Sequence, residues 1–526
     1  MNFDQPLQVV DLFAGPGGLG EGFSSLNEGQ SFEVLVSAEM DPFARSTLRL
    51  RAFYRALKKN NPAALDDYYH FCETPGVEHP WTSRSFKEWE IADKEARQIK
   101  LGSPEGNAEL DRILEDRLDT RKPWVLIGGP PCQAYSIVGR ARNKGNLEYK
   151  AEDDHRHFLY REYLRIIQRK KPAIFVMENV KGILSSKVGG EQIFPQILKD
   201  LADPDLALGG TAKSENRYRI CSLVTDDVYE SGDDPLKLDL NNFVIRAENY
   251  GVPQSRHRVI LVGVSERYLK GLHEHKLTPS KGPTVEQMIG KLPPLRSTLS
   301  RGQDSADAWC RQVIDHLDEL RSDLVASGKN DPKLEMKLKI FRESFSGGRL
   351  NNGGLRVRKN NSWSGRVGVP GLDSWLSDER LGVWLNHEAR GHMSSDLRRY
   401  VYAAVFGEAH LTSPKGHQEF TLAGLAPDHK NWETGKFSDR FRVQLKGQVA
   451  STITSHISKD GHYFIHYDPN QCRSLTVREA ARIQTFPDNY FFLGNRTQQY
   501  HQVGNAVPPL LAGKIAKIVE SIIKGA

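Results

Sequence analysis

At 526 residues the chain is longer than one hydrophobic core usually fills, so two domains are expected. A hydrophobic fraction of 38% beside 26% charged residues excludes extended disorder, and no apolar run is long enough to span a membrane. Cys72, Cys132, Cys221, Cys310 and Cys472 lie far apart, with no Cys-x-x-Cys pair or histidine at zinc-ligand spacing, so neither a disulfide framework nor a metal site is expected. The net charge of +6 favours a polyanionic partner without requiring one. The start, Met-Asn-Phe-Asp-Gln-Pro, lacks a basic stretch followed by an apolar core, and a cytoplasmic location is expected.

In chain order, short apolar runs predict strands at Leu7 to Phe13, Val34 to Ala38, Trp124 to Ile127, Ala173 to Met177, Phe243 to Ala247 and Val259 to Gly263. Amphipathic stretches between them predict an α/β fold, a mostly parallel sheet with helices on both faces. The last two strands read as a hairpin and give the sheet an antiparallel edge. A polar segment over residues 50–120 carries helix-forming pieces at Ile91 to Ile99 and Glu109 to Leu118, and is longer than a crossover needs. After Lys281 the pattern changes. Residues 306–345 read as helical, because Val313, Leu317, Leu320 and Leu324 share one face and Asp331-Pro332 offers a cap and a first-turn proline. Residues 347–371, rich in Gly, Asn and Arg, read as a loop. The histidines of Asn386-His-Glu-Ala-Arg-Gly-His392 lack metal-site spacing and are expected on a helix surface, within a helical stretch from Asn386 to Phe406. A final helix carries an apolar stripe at Leu511, Ile515, Ile518, Val519, Ile522 and Ile523.

Two strand ends carry reactive groups. Gly128-Gly-Pro-Pro-Cys132 places a thiol just beyond an apolar run, in the position where open α/β sheets gather their reacting groups, so Cys132 is a candidate nucleophile despite the common fate of cysteine as a small core residue. Glu178 ends the next run, and Gln254-Ser-Arg256-His-Arg258 delivers two arginines into a strand. Gly15-Pro-Gly17-Gly18-Leu-Gly20, trailed by Glu39, satisfies Gly-x-Gly-x-x-Gly and on its own would suit a dinucleotide. Pro16 argues against that reading, because it removes a backbone donor from a phosphate cradle.

Together with Asp11-Leu-Phe-Ala-Gly15, Arg473-Ser-Leu-Thr-Val-Arg-Glu479 and Gly504-Asn505, these blocks resemble, in order and spacing, the cytosine-C5 DNA methyltransferase family. The resemblance implies a Rossmann-like, S-adenosylmethionine-dependent methyltransferase domain over residues 1–285, completed by 500–526, and a smaller target-recognition domain over 286–499. It also implies that the first and last segments pack together. Cys132, Glu178, Arg258 and, second to it, Arg256 would be catalytic. Phe13, Ala14, Gly15, Gly17, Gly18, Glu39, Met40, Pro130, Asn505 and Ala506 would hold the cofactor. Gln133, together with Ser136 and Arg140 from a loop over Ser136 to His155 expected to close over DNA, would contact DNA. Composition adds Arg356 and Arg358 of the basic loop. The implied partner is double-stranded DNA, bound by a monomer. The tRNA-methylating branch usually lacks a large region between the Arg-x-Arg and Leu-Thr-x-Arg-Glu blocks, which is present here, and intact Cys132, Glu178 and Arg258 count against a silent DNA-binding homologue.

Overall fold

Successive residues of a strand face opposite ways, so an uninterrupted apolar run suits a strand covered on both faces. The computed structural model, which describes residues 5–131, 159–188, 190–210, 216–272, 275–428, 432 and 440–526, has that arrangement. Leu7–Leu12 (β1), Phe32–Glu39 (β2), Ala96–Gln98 (β3), Trp124–Gly128 (β4) and Ile174–Val180 (β5) pair in parallel in the order β3-β2-β1-β4-β5. On one face Leu12, Leu126 and Phe175 pack with Leu110, Leu114, Tyr163, Ile167 and Leu198 from helices Pro104–Arg117, Leu159–Lys170 and Ile193–Ala202. On the other, Val9, Val125, Ile127 and Val176 meet Leu19 and Phe23 of helix Gly18–Ser24 and the stripe of helix Pro509–Gly525. All six residues of that stripe are buried, and the two ends of the sequence therefore share one core.

The sheet continues through Tyr218–Cys221 (β6), Val228–Tyr229 (β7), Val244–Arg246 (β8) and His257–Ser265 (β9). The expected hairpin exists as antiparallel β8 and β9; among the described residues β8 pairs with β9 alone, while β9 lies inside the sheet. β9 runs antiparallel to β5 on one side and to both β8 and β6 on the other, with β7 beyond β6. The expected helix from Ile91 to Ile99 is also corrected: Phe86–Glu95 is helical, and the chain then turns into β3 alongside β2.

The chain divides into two compact units, one of Met1–Tyr68, Trp81–Lys281 and Ala506–Ala526, the other of Tyr69–Pro80 and Gly282–Asn505. In the second, helices Ala306–Ala326 and Pro332–Ser344 form as expected, the latter with Pro332 in its first turn and the Asp331 carboxylate accepting from Leu334 N at 3.0 Å. Both pack on helix Ser394–His410 through Val313, Leu317, Leu338 and Val401.

Two expectations for this unit change. Residues 347–371 are not all loop, because Gly353–Arg358 pairs antiparallel with Val383–Glu388, and Pro370 opens a helix to Leu376. The Asn386–His392 segment lies on no helix surface. It ends that second strand, His387 and His392 are buried, and the helix starts at Ser394. The His387 ring bonds Thr476 Oγ1 at 3.0 Å and Pro293 O at 2.8 Å, and burial pushes its pKa down to about 4, which keeps it neutral.

Three arginines with no side-chain exposure brace the unit from the Arg473–Asp488 stretch. Arg473 grips both oxygens of Glu479 at 2.7 Å and donates to Leu295 O at 3.0 Å. Arg478 donates to the carbonyls of Leu385, Pro487 and Tyr490. Arg482 grips Asp488 and donates to Met288 O and Gly365 O. A planar fork can satisfy several carbonyls at once, so these side chains serve where a lysine could not.

Arg356 works in a similar way. Its Nε donates to Cys72 O at 2.8 Å and its Nη2 to Phe71 O at 3.0 Å, with the guanidinium 5.0 Å from the Phe491 ring centroid. Tyr69 Oη bonds Asp378 at 2.7 Å and Glu73 Oε1 accepts from Gly382 N at 2.6 Å. The Tyr69–Pro80 stretch, drawn from the long polar segment, is thus built into the second unit.

Candidate active site

The parallel strands β2, β1, β4 and β5 end at one edge of the sheet, where α/β folds place their ligands. β1 stops at Leu12, and Phe13 follows with φ 57°, a left-handed conformation that costs a bulky residue and persists only where surrounding structure imposes it. Gly15 and Gly17 also have positive φ, and the turn closes with Gly17 N donating to Ala14 O at 3.0 Å. A Cβ on Gly15 would meet nothing within 4 Å, whereas one on Gly18 would lie 2.1 Å from Val507 O. The first glycine therefore borders open space and the second permits close packing on the C-terminal segment.

Glu39 ends β2 beside this turn. Gly15 N donates to its Oε2 and Asp41 N to its Oε1, each at 2.8 Å, so two backbone amides fix the carboxylate. Burial raises its pKa, and those two hydrogen bonds oppose the shift. The turn thus sets a fixed carboxylate beside open space, an arrangement able to accept hydrogen bonds from the hydroxyls of a small ligand. Phe13 and Ala14 are half-buried at the cradle, and Met40 is 58% exposed. Gln98 was not singled out from the sequence. It is the register partner of Glu39 and donates from Nε2 to Met40 O at 3.4 Å, and its only signal was a short strand that interrupts a helical pattern.

At the neighbouring strand ends, Gly128 closes β4, and Asn179 Nδ2 donates to Pro130 O at 3.4 Å. Glu178 Oε1 lies 2.9 Å from Arg258 Nε, and Arg258 Nη1 donates to His257 O at 2.9 Å. The register explains the meeting: Ile260 stands opposite Glu178, two residues from Arg258 opposite Val180. A Cβ on Gly129 would come within 3.2 Å of Glu178 Oε2, so a side chain there would press on the acid. Arg256 is buried, and its pKa is lowered by burial and by the Arg258 charge, whereas Arg258 holds the acid directly. Cys132, Gln133, Ser136 and Arg140 lie outside the described residues. Asn505 is exposed at the end of helix Arg496–Asn505, and Ala506 is buried in the first unit.

The model of the C-5 cytosine-specific DNA methylase family matches residues 95–206 and 239–521. The chain belongs to that family. It is a DNA cytosine-C5 methyltransferase. It is 31% identical to the type II methyltransferase M.Bpa9945I of Bacillus paralicheniformis over 98% of this chain and 99% of the relative. The type II methyltransferase M.AgeI of Thalassovita gelatinovora is 24% identical over 98% of this chain and all of the relative. Among solved structures, one described as a candidate DNA modification methyltransferase from an E. coli prophage aligns with a TM-score of 0.50 at 18% identity, covering 98% of this chain and 99% of that one, and speaks for the fold.

Proposed function

We propose that this methyltransferase takes its methyl group from S-adenosylmethionine and acts on a cytosine turned out of a specific duplex DNA sequence, as the modification half of a restriction-modification pair. The Glu178–Arg258 pair beside the Gly128–Pro131 segment carries the reading, and the relatives' designation as type II methyltransferases supports the biological role. Cytosine C5 is a weak nucleophile and has to be activated by addition at C6. The Cys132 thiolate forms a bond to C6, Glu178 supplies or shares a proton at N3 and the exocyclic amine, and Arg258 balances charge at O2, with Arg256 behind it. S-adenosylmethionine supplies the methyl group when bound. Loss of the C5 proton to a base then returns the electron pair to the ring, breaks the C–S bond and frees the thiolate. A stacked base cannot reach these groups, so the target must leave the helix.

For the cofactor, Phe13, Ala14, Gly15, Gly17 and Gly18 form the cradle, Glu39 accepts from the ribose hydroxyls, and Met40, Pro130 and Gln98 border the adenine side. The family resemblance adds Asn505 and Ala506. Glu39→Ala is expected to weaken S-adenosylmethionine binding roughly 10- to 100-fold in calorimetry, the size of a lost hydrogen bond to a charged acceptor. Unchanged affinity would remove Glu39 from the site.

Gln133, Ser136 and Arg140 are assigned to DNA, and sequence recognition to residues 286–499. Because Arg356 binds the Phe71 and Cys72 carbonyls, of the two arginines only the exposed Arg358 is kept as a direct DNA contact. Bisulfite sequencing of DNA from cells expressing the protein tests the whole reading, with protected cytosines expected in one short motif. Protected cytosines scattered without a motif would refute sequence-specific modification.

A further inference from the structure

The basic stretch after the Gly353–Arg358 strand is held at three places. Lys359 N donates to Gly382 O at 2.8 Å, and its ammonium bonds Asp378 O at 3.0 Å and lies 4.7 Å from the Trp384 ring centroid. Gly365 N donates to Lys291 O at 3.0 Å while Gly365 O accepts from Arg482 Nη1 at 2.7 Å. Val367 N and Gly368 N donate to the two oxygens of Asp373 at 2.6 and 3.0 Å. Arg482, itself fixed on Asp488, has its guanidinium carbon 5.1 Å from the Trp384 ring centroid, so both Lys359 and Arg482 lie against the same indole. A Cβ on Gly365 would be 2.1 Å from that indole, which leaves no slack at this anchor.

Between the anchors stands a short tip, Asn360 to Ser364. It is turned by Trp363 N to Asn360 O at 3.4 Å and by Ser362 N to Asn360 Oδ1 at 3.0 Å. Asn360, Asn361, Ser362 and Ser364 are exposed and Trp363 is half-buried. Arg358 and Arg366 flank the tip, both exposed, with Arg366 4.0 Å from the still more exposed Glu379. Asparagine amides match the adenine edge, arginine forks match guanine, and a two-stranded ribbon of the Gly353–Arg358 and Val383–Glu388 kind fits the major groove. A loop already held in shape loses little conformational entropy on binding, so a mismatch is not absorbed by rearrangement.

We infer that the Asn360–Ser364 tip with Arg366 reads base edges in the major groove, and that Arg482 is its positioning residue. The inference rests on the sequence-specific reading above. The test compares kcat/KM of the full chain on a duplex carrying the bisulfite-defined motif with duplexes altered at single positions. Asn361→Ala, Trp363→Ala and Arg366→Ala should each relax discrimination at one position by about 5- to 150-fold. Arg482→Lys keeps the charge and loses the fork, and should relax the same positions while S-adenosylmethionine affinity holds.

If the three tip variants, alone and combined, keep the wild-type motif and discrimination, the tip is not the reader. If they weaken all duplexes evenly and lower the salt slope by about 1 each, the contacts are to phosphate and the base-reading inference falls. An Arg482→Lys protein that melts lower yet keeps full discrimination overturns the positioning role. A wild type without any methylated motif would instead sink the reading beneath, and is seen before any variant is made.

Discussion

Cys132→Ala is expected to abolish methyl transfer while S-adenosylmethionine still binds, because no other group is assigned to add at C6. DNA with 5-fluorocytosine at the target should trap the wild-type protein covalently. A base can take the C5 hydrogen as a proton but cannot take fluorine as a cation, so the electron pair that would expel the thiolate is not released and the C–S bond persists. Glu178→Gln should keep the packing against Gly129 but lower kcat by about 10²- to 10⁴-fold, the range of a lost general acid. Arg258→Lys should not restore full activity, since an ammonium does not reproduce the Nε contact to Glu178. Labelled methyl incorporation into DNA and denaturing gels of the trapped complex provide the readouts. Full turnover by Cys132→Ala would end the covalent mechanism.

The largest effect on stability is expected at Arg473. Removing it as Arg473→Met leaves the Glu479 carboxylate buried without its countercharge, which typically costs about 3–5 kcal/mol. Replacing both partners with apolar residues should recover much of that loss. Acid should attack the same cluster. Burial alone would raise the Glu479 carboxyl, but the Arg473 charge and hydrogen bonds outweigh it and hold it well below the usual carboxylate range. Burial pushes His387 and His466 down to about 4. As pH falls from 6.5 toward 4, the unfolded chain takes up protons that these folded histidines refuse, so stability falls by about 1.4 kcal/mol per pH unit for each. Below the ordinary carboxylate pKa, Glu479 adds to the loss, since the unfolded carboxyl protonates first. Urea midpoints measured from pH 7 to pH 4 should decline, and less steeply for His387→Gln. A flat profile would mean that these histidines are protonated in the folded protein.

The parallel core of the sheet was readable because β1, β2, β4 and β5 are apolar on both faces, a pattern that few other elements mimic. β3 and β6 escaped notice for the opposite reason. Ala96–Gln98 is short and polar and continues a helical stretch, and Tyr218–Cys221 carries Arg219 between buried Tyr218 and Ile220. In the second unit the strand Gly353–Arg358 has no clean alternation, because Arg356 turns inward to backbone carbonyls that lie far away in sequence. The buried histidines misled for a related reason: a polar side chain reads as surface until its partners, here Thr476 and Pro293, are known. At the site, Glu39, Glu178 and Arg258 could be named from motif order. The amide clamp on Glu39 and the meeting of Gln98 with Met40 depend on strand register, which residue spacing does not reveal.

The Tyr69–Pro80 stretch has a bearing on how such enzymes could be recombined. Specificity is most simply transplanted by cutting a donor at the two ends of its recognition segment and splicing that segment into a new host. Here a graft of residues 282–505 would arrive without the Phe71 and Cys72 carbonyls, the Tyr69 hydroxyl and the Glu73 carboxylate. Arg356 would then have lost both of its backbone acceptors on a strand whose neighbour presents Trp384 and Leu385. The second unit is therefore discontinuous in sequence, and a chimaera that keeps its internal contacts has to carry both pieces from the same parent.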